Sequence, residues 1–419
     1  MDSDPRKVDA LRCGQVPFFE PHLTELLAEA KSNLNYTIDY AQAIPTAEVV
    51  FIAVGTPPGQ GGAPDLKYLE SAARSIGENL GQHFTVIVNK STVPIGSGNW
   101  VGSLVRTQSN GASFAVASNP EFLREGSALL DSLYPDRVVI GAEDARTSEV
   151  LYSLYRPVLE QSFAAPVFLP RPDGVAAAPL ISTDLASAEL IKYAANAFLS
   201  LKISYINEIG NLAEKVGADI RQVAKGIGLD RRIGGRFLQA GVGWGGSCFG
   251  KDTAALVATA SEYGLDMPIV KAAREVNKKQ RDRVVEKLLD ELKILKGRTI
   301  GLLGLAFKPN TDDLRDAPAI DIAQRLIERG AHVRAHDPIA MSRFREENPN
   351  LRVTLTAAAE ETAIDADALV LVTEWDSYQE LDWEGVARKM RSAILVDGRN
   401  LLDRERLTQS GFRYVSLAG

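Results

Sequence analysis

Short apolar runs alternate with amphipathic stretches along the first part of the chain. Val49–Val54, Thr85–Val88, Phe114–Ala117 and Arg137–Ile140 read as strands, and Asp65–Leu80 reads as a helix between the first two. Continuous Val- and Ile-rich runs are what strands covered on both faces require, so this pattern predicts a parallel α/β sheet. After about Thr183 the period changes: Leu185–Val216 reads as one long helix with almost no breaker, and helical segments continue to about Leu295. At Arg298 the α/β alternation returns, with strands over Thr299–Leu303, Val333–His336, Ala368–Thr373 and Ala393–Val396 and a helix over Ile320–Arg329. The expected organisation is an N-terminal Rossmann-like, doubly wound domain over 1–183, an all-helical central domain over 184–295, and a second doubly wound domain over 296–419.

The opening residues refine that picture. Ser3 or Asp4 is placed to cap a helix that has Pro5 in its first turn and ends at Gly14. Asp2 then falls at the tip of a preceding strand. In a dinucleotide-binding fold an acidic residue there binds the adenosine ribose, about twenty residues after a Gly-x-Gly-x-x-Gly loop. The expectation is that the chain starts at this ribose carboxylate, without the first strand, the phosphate loop and the first helix of the unit.

Composition narrows the function classes. The chain has 419 residues, is 45% hydrophobic and carries a formal net charge of −7 with basic residues scattered through it. No polycation tract offers itself to a nucleic-acid backbone. Charges stand where a signal peptide would have its apolar core, and no apolar run reaches membrane-spanning length, so a cytoplasmic protein acting on small molecules is expected. Two cysteines, Cys13 and Cys248, are too few for a disulfide framework and, with four histidines, give no metal-site spacing.

Cys248 stands in Gly243-Trp244-Gly245-Gly246-Ser247-Cys248-Phe249-Gly250-Lys251-Asp252, a glycine-rich loop followed at once by a lysine and a carboxylate. A nucleophilic cysteine needs neighbouring positive charge or helix N-terminal amides, and Lys251 with a helix opening at Asp252-Thr253 could supply both. A small residue buried where a loop meets a helix would look the same. On the long helix, Lys192 and Asn196 share a face among mostly apolar neighbours, with Asn207 further along. A bound oxyanion would relieve the cost of burying them; snorkelling to water is the other reading. Asn119-Pro120-Glu121-Phe122-Leu123-Arg124-Glu125-Gly126 follows a strand and sets two glutamates and an arginine at its carboxyl end, where open α/β sheets bind ligands. Gly55-Thr56 and Ser91-Thr92 end two other strands, and Lys308 and Arg315 lie in the loop that ends the first strand of the last domain, suited to a phosphate or carboxylate.

Taken together, Glu20-Pro21, Val54-Gly55-Thr56-Pro57, Lys90-Ser91-Thr92-Val93-Pro94, Asn119 to Gly126, Glu189 to Asn196, Gly245-Gly246-Ser247-Cys248, Phe307-Lys308 and Asp397-Gly398-Arg399 give the chain its affinity. In order and spacing it resembles the UDP-glucose/GDP-mannose dehydrogenase family, and its UDP-glucose branch in particular. That resemblance implies oxidation of a UDP-sugar alcohol to a carboxylate with two successive NAD molecules, through a thiohemiacetal and a thioester on Cys248. It implies that Lys192 and Asn196 stabilise oxyanions, and that Glu121 or Glu125 handles water or protons with Thr92 and Asp252. Asp2, Lys7, Thr56, Thr92, Glu125, Lys251 and Arg315 match NAD-contacting positions. Glu121, Phe122, Leu123, Arg124, Glu125, Lys192, Asn196, Phe237, Leu238, Gln239, Ala240, Gly241, Gly245, Lys308 and Arg399 match positions around the UDP-sugar. No metal is implied, and a homodimer joined through the long helix is. The alternatives are a dehydrogenase of a UDP-N-acetylhexosamine or of GDP-mannose, a single-step β-hydroxyacid dehydrogenase, and a nucleotide-sugar binder without catalysis.

Overall fold

The structure is a computed structural model that describes residues 1–418, with Gln60 described only in its backbone. The chain divides into two compact units, Met1–Ala195 with Ala254–Asp266, and Asn196–Thr253 with the chain from Met267 onward.

The first unit is built on five strands: β1 (Val49–Ile52), β2 (Thr85–Asn89), β3 (Phe114–Ser118), β4 (Val138–Ala142) and β5 (Leu180–Thr183), in that spatial order. Alternate residues of β2 explain why its pattern is continuously apolar. Ile87 packs with Ile52, Leu69, Ile76 and Val101 on one face, while Val86 and Val88 pack with Val138, Ile140 and Leu151 on the other. Helices therefore cover both faces, and each fully buried Ile or Val contributes roughly 1.5–3 kcal/mol. The sheet departs from an all-parallel arrangement at one place: β3 and β4 pair antiparallel, and β5 follows β4 in parallel. Only two residue pairs make the β3–β4 ladder, Ala117 with Ala142 and Ser118 with Gly141. At the start of the chain Asp4 is the cap, accepting from Arg6 N at 2.9 Å, and the helix is Pro5–Arg12.

The described residues of the second unit form six strands, β6 (Thr299–Leu303), β7 (His332–His336), β8 (Val353–Leu355), β9 (Ala368–Leu371), β10 (Ile394–Asp397) and β11 (Arg413–Ser416). Their order is β11-β10-β9-β6-β7-β8 and every neighbouring pair is parallel. The long helix runs over Leu185–Val216, as its unbroken pattern predicts. Among the described residues no helix is long and apolar enough to cross a membrane.

Candidate active site

In the first unit the carboxyl ends of the strands collect the polar side chains. Lys192 is buried, and its partner is a protein carboxylate: Nζ donates to Glu121 Oε1 at 3.2 Å. Glu121 is fixed in turn, since its Oε2 accepts from Leu123 N at 2.7 Å. Two cations approach the Phe122 ring, the Arg137 guanidinium 3.8 Å and Lys192 Nζ 5.4 Å from its centroid. Arg124 is held by Asp131 through both carboxylate oxygens, at 2.6 and 3.0 Å. Glu20 closes the turn beyond Glu125, accepting from Gly126 N and Ala128 N at 2.7 Å each. Leu123 is exposed and Glu125 half-buried.

Behind this turn lies an unanticipated layer. Lys90 Nζ donates to Asn119 Oδ1 at 2.9 Å and to Tyr155 OH at 3.2 Å, and Tyr155 OH donates to Asn119 Oδ1 at 2.5 Å. Burial pushes the Lys90 ammonium down to about 8, with Glu121 acting against that shift and Lys192 adding to it. Burial likewise pushes the Tyr155 phenol up to about 12. Glu189, four-fifths of a turn before Lys192 on the same helix, accepts from Gly96 N at 2.6 Å, Gly98 N at 2.9 Å and Ser118 Oγ at 2.9 Å. Burial raises its carboxyl above the usual range in spite of those donors. Thr92, Lys192 and Glu189 border one small cavity of about 10 Å³, enough for a single water.

The expected cofactor positions in this unit are polar, and of them Thr56 is buried. Asp2 accepts from Asp4 N at 2.9 Å and stands 3.9 Å from Lys7 Nζ, leaving its side chain 40% exposed. Thr56 Oγ1 donates to Thr92 O at 2.9 Å, which ties the loops after β1 and β2, and a Cβ at the neighbouring Gly55 would meet open space. An acceptor carboxylate for a ribose diol and an open strand end fit a dinucleotide.

In the second unit Cys248 immediately precedes the helix Phe249–Glu262, and Asp252 N donates to Cys248 O at 2.8 Å. Cys248 is half-buried, with its Sγ 3.5 Å from Ser247 Oγ, at the N-terminus of that helix. Fully buried Asp252 accepts from Lys251 Nζ at 2.7 Å on one oxygen and from Asn196 Nδ2 at 2.6 Å on the other. Asn196, like Lys192, thus meets a protein carboxylate.

The preceding loop needs its glycines. Gly246 has φ +86°, and a Cβ there would lie 2.8 Å from the Phe307 ring; at Gly245 a Cβ would run into the Asp316 carbonyl. Trp244 is pinned by Asn277, which accepts from its N–H at 2.7 Å and donates to its carbonyl at 2.9 Å, and by Ser204, which accepts from its indole at 3.0 Å. Arg281 bridges the Trp244 carbonyl and Asp316. Arg399 is more a clasp than a free cation: it donates to Val372 O at 2.6 Å, Phe307 O at 3.2 Å and Gly243 O at 3.4 Å, with Glu374 2.9 Å away. The segment Phe237, Leu238, Gln239, Ala240, Gly241 is held from behind, Gly241 N donating to Asn207 Oδ1 at 2.7 Å and Asn400 Nδ2 to Ala240 O at 2.9 Å. Arg315 pairs bidentately with Asp313 at 2.8 and 2.9 Å, and Lys308 Nζ lies 5.4 Å from the Phe307 ring centroid. Among the described residues no three His, Cys, Asp or Glu side chains gather as a metal site.

Three successive segments match models of one family: residues 1–159 its NAD binding domain, 186–279 its central domain and 301–404 its UDP binding domain. The chain belongs to the UDP-glucose/GDP-mannose dehydrogenase family. Within that family it is 45% identical to a UDP-glucose 6-dehydrogenase of Rhizobium meliloti (strain 1021), over all of this chain and 93% of that protein. It is 44% identical to the UDP-glucose 6-dehydrogenase TuaD of Bacillus subtilis (strain 168), over 99% of this chain and 87% of that protein. A solved UDP-glucose dehydrogenase from Pyrobaculum islandicum superposes with a TM-score of 0.89 at 39% identity, covering all of this chain and 91% of that one. The cofactor of this dehydrogenase family member is NAD.

Proposed function

We propose that this chain oxidises the C6 alcohol of UDP-glucose to UDP-glucuronate, with Cys248 as the covalent nucleophile. The reading rests on relatives of that specificity aligned over essentially the whole chain, and on a half-buried cysteine at a helix N-terminus in a loop that two glycines keep in shape.

NAD, when bound, accepts the hydrogen and electron pair that leave C6 in each of the two oxidations. Asp2, Lys7, Thr56, Thr92, Glu125, Lys251 and Arg315 are assigned to holding it. Glu121 to Glu125, Phe237 to Gly241, Gly245, Lys308 and Arg399 are assigned to the UDP-sugar. The Lys192 ammonium and the Asn196 amide are assigned to the oxyanion that develops at C6. Once the aldehyde exists, the Cys248 thiolate adds to its carbonyl carbon; a C–S bond forms and the oxygen takes the electron pair. Loss of the second hydrogen restores the carbonyl as a thioester. Water, deprotonated by Glu121 or Glu125, then attacks; the C–S bond breaks, releasing the carboxylate and restoring the thiolate. Per sugar the chain consumes one water and two NAD and yields two NADH and three protons.

We assign the working form to a homodimer. Phe198, Tyr205 and Leu212 recur every seventh residue of the long helix and are 61%, 50% and 58% exposed, a ridge suited to a second copy of the chain.

A panel of UDP-glucose, UDP-N-acetylglucosamine, UDP-N-acetylmannosamine and GDP-mannose, followed by NADH absorbance, tests the substrate. The reading expects UDP-glucose to exceed the others by at least about a hundredfold in kcat/KM. A preference for an N-acetylated or GDP-linked sugar would overturn it.

A further inference from the structure

Lys90 directly follows β2 and is not among the residues assigned above to substrate or cofactor. Its ammonium is bound by Asn119 Oδ1 at 2.9 Å and Tyr155 OH at 3.2 Å, and Asn119 is itself fixed, its N–H on Asn89 O and its Nδ2 on Val139 O, at 2.9 and 2.7 Å. Only Pro120 separates Asn119 from Glu121, so whatever anchors the Asn119 side chain anchors the base of the turn that presents Glu121 to Lys192. The charged and titratable groups around Lys90 are Glu121 beyond β3, Lys192 on the long helix and Tyr155 on the helix Ala145–Leu159, with Glu189 sharing the Lys192 cavity.

We propose that Lys90 is a positioning residue, which clamps the Asn119–Glu121 turn through Asn119 and sets a positive charge against the Glu121–Lys192 pair. The proposal rests on the reading of Glu121 and Lys192 as parts of the reactive site. Burial brings Lys90 itself down to about 8, so the charge it sets there fades as the pH rises past this value.

The test compares the full-length chain with Lys90→Met, Lys90→Arg and Tyr155→Phe. Lys90→Met is expected to lower kcat at neutral pH about tenfold or more while changing KM for UDP-glucose less than about threefold. Lys90→Arg keeps the charge and should lose less. The inflection near pH 8 in the native kcat/KM profile should vanish in both. A purely structural lysine would lower the rate by one factor at every pH and leave the inflection in place, and that result overturns the proposal. Amide hydrogen exchange gives a reading that needs no turnover. In Lys90→Met the amides of Asn119 and Leu123 should exchange about tenfold faster or more, with melting of the chain otherwise preserved; unchanged exchange there would refute the clamp. Should Lys90→Met fail to fold, Tyr155→Phe carries the same exchange measurement, with a smaller acceleration expected. If the native chain forms no NADH from UDP-glucose, the proposed function fails while hydrogen exchange still decides on Lys90.

Discussion

Asn196 Nδ2 donates to Asp252 Oδ2 at 2.6 Å, and Lys251 Nζ holds the other oxygen at 2.7 Å. A carboxylate only accepts, so Asp252 decides which end of the Asn196 amide turns toward it and leaves the carbonyl end facing elsewhere. The residue after Lys251 thereby organises an amide assigned to the developing oxyanion and an ammonium assigned to NAD.

Removing that carboxylate should be costly. Asp252→Ala leaves the ammonium and the amide without their buried acceptor, and a loss of about 3 kcal/mol in urea denaturation is expected. Asp252→Asn, which retains one acceptor oxygen, should lose less. Equal stability of Asp252→Ala and the native chain would remove Asp252 from this role.

Cys248→Ser replaces the thiol with a hydroxyl that is a far weaker nucleophile near neutral pH. Calorimetry should find UDP-glucose binding within about threefold of native, with uronate formation reduced by three orders of magnitude or more. Loss of binding would make Cys248 part of the loop's packing and no more.

Glu189 gives a pH dependence whose sign follows from its burial. Its folded carboxyl is raised above the ordinary value of 4.5, so the folded chain binds its proton to higher pH than the unfolded chain does. The stability it contributes is complete below about 4.5 and is lost as the pH rises through the folded value. Glu189→Gln cannot titrate. The difference in urea stability, native minus variant, should therefore shrink between pH 4 and 7, whatever constant offset the lost acceptor from Gly96 or Gly98 introduces. A difference that grows with pH would contradict the assignment.

The exposed ridge on the long helix predicts assembly. Tyr205→Glu combined with Leu212→Glu puts charge on two positions that are at least half exposed in the single chain, so folding should be little affected. Sedimentation should show the native chain as a dimer and the double variant as a monomer. A native monomer would leave the ridge without this role.

Much of this was legible in the sequence because it depends on local pattern. The long helix keeps its bounds because nothing between Leu185 and Val216 breaks the period, and Asp4 before Pro5 is a cap by residue type alone. The reversal of β4 was not legible, since an apolar strand looks the same in either direction and only two residue pairs carry the β3–β4 ladder. The partners of Lys192 and Asn196 were hidden for another reason. Glu121 and Asp252 lie 71 and 56 residues away, and a buried cation or amide announces a need for an acceptor without naming it. Lys90, Asn119 and Tyr155 illustrate the same limit: the first two were visible as strand ends, but Tyr155 sits within an amphipathic helix and only the fold brings its hydroxyl to them.

The account stands or falls on the number of oxidations per sugar. NADH formed from limiting UDP-glucose by the purified chain, with excess NAD, should reach two per sugar consumed, with glucuronate as the product. One NADH per sugar, or two in a chain whose Cys248 has been replaced by Ala, would contradict the thioester route and leave Cys248 only a packing role at the start of a helix.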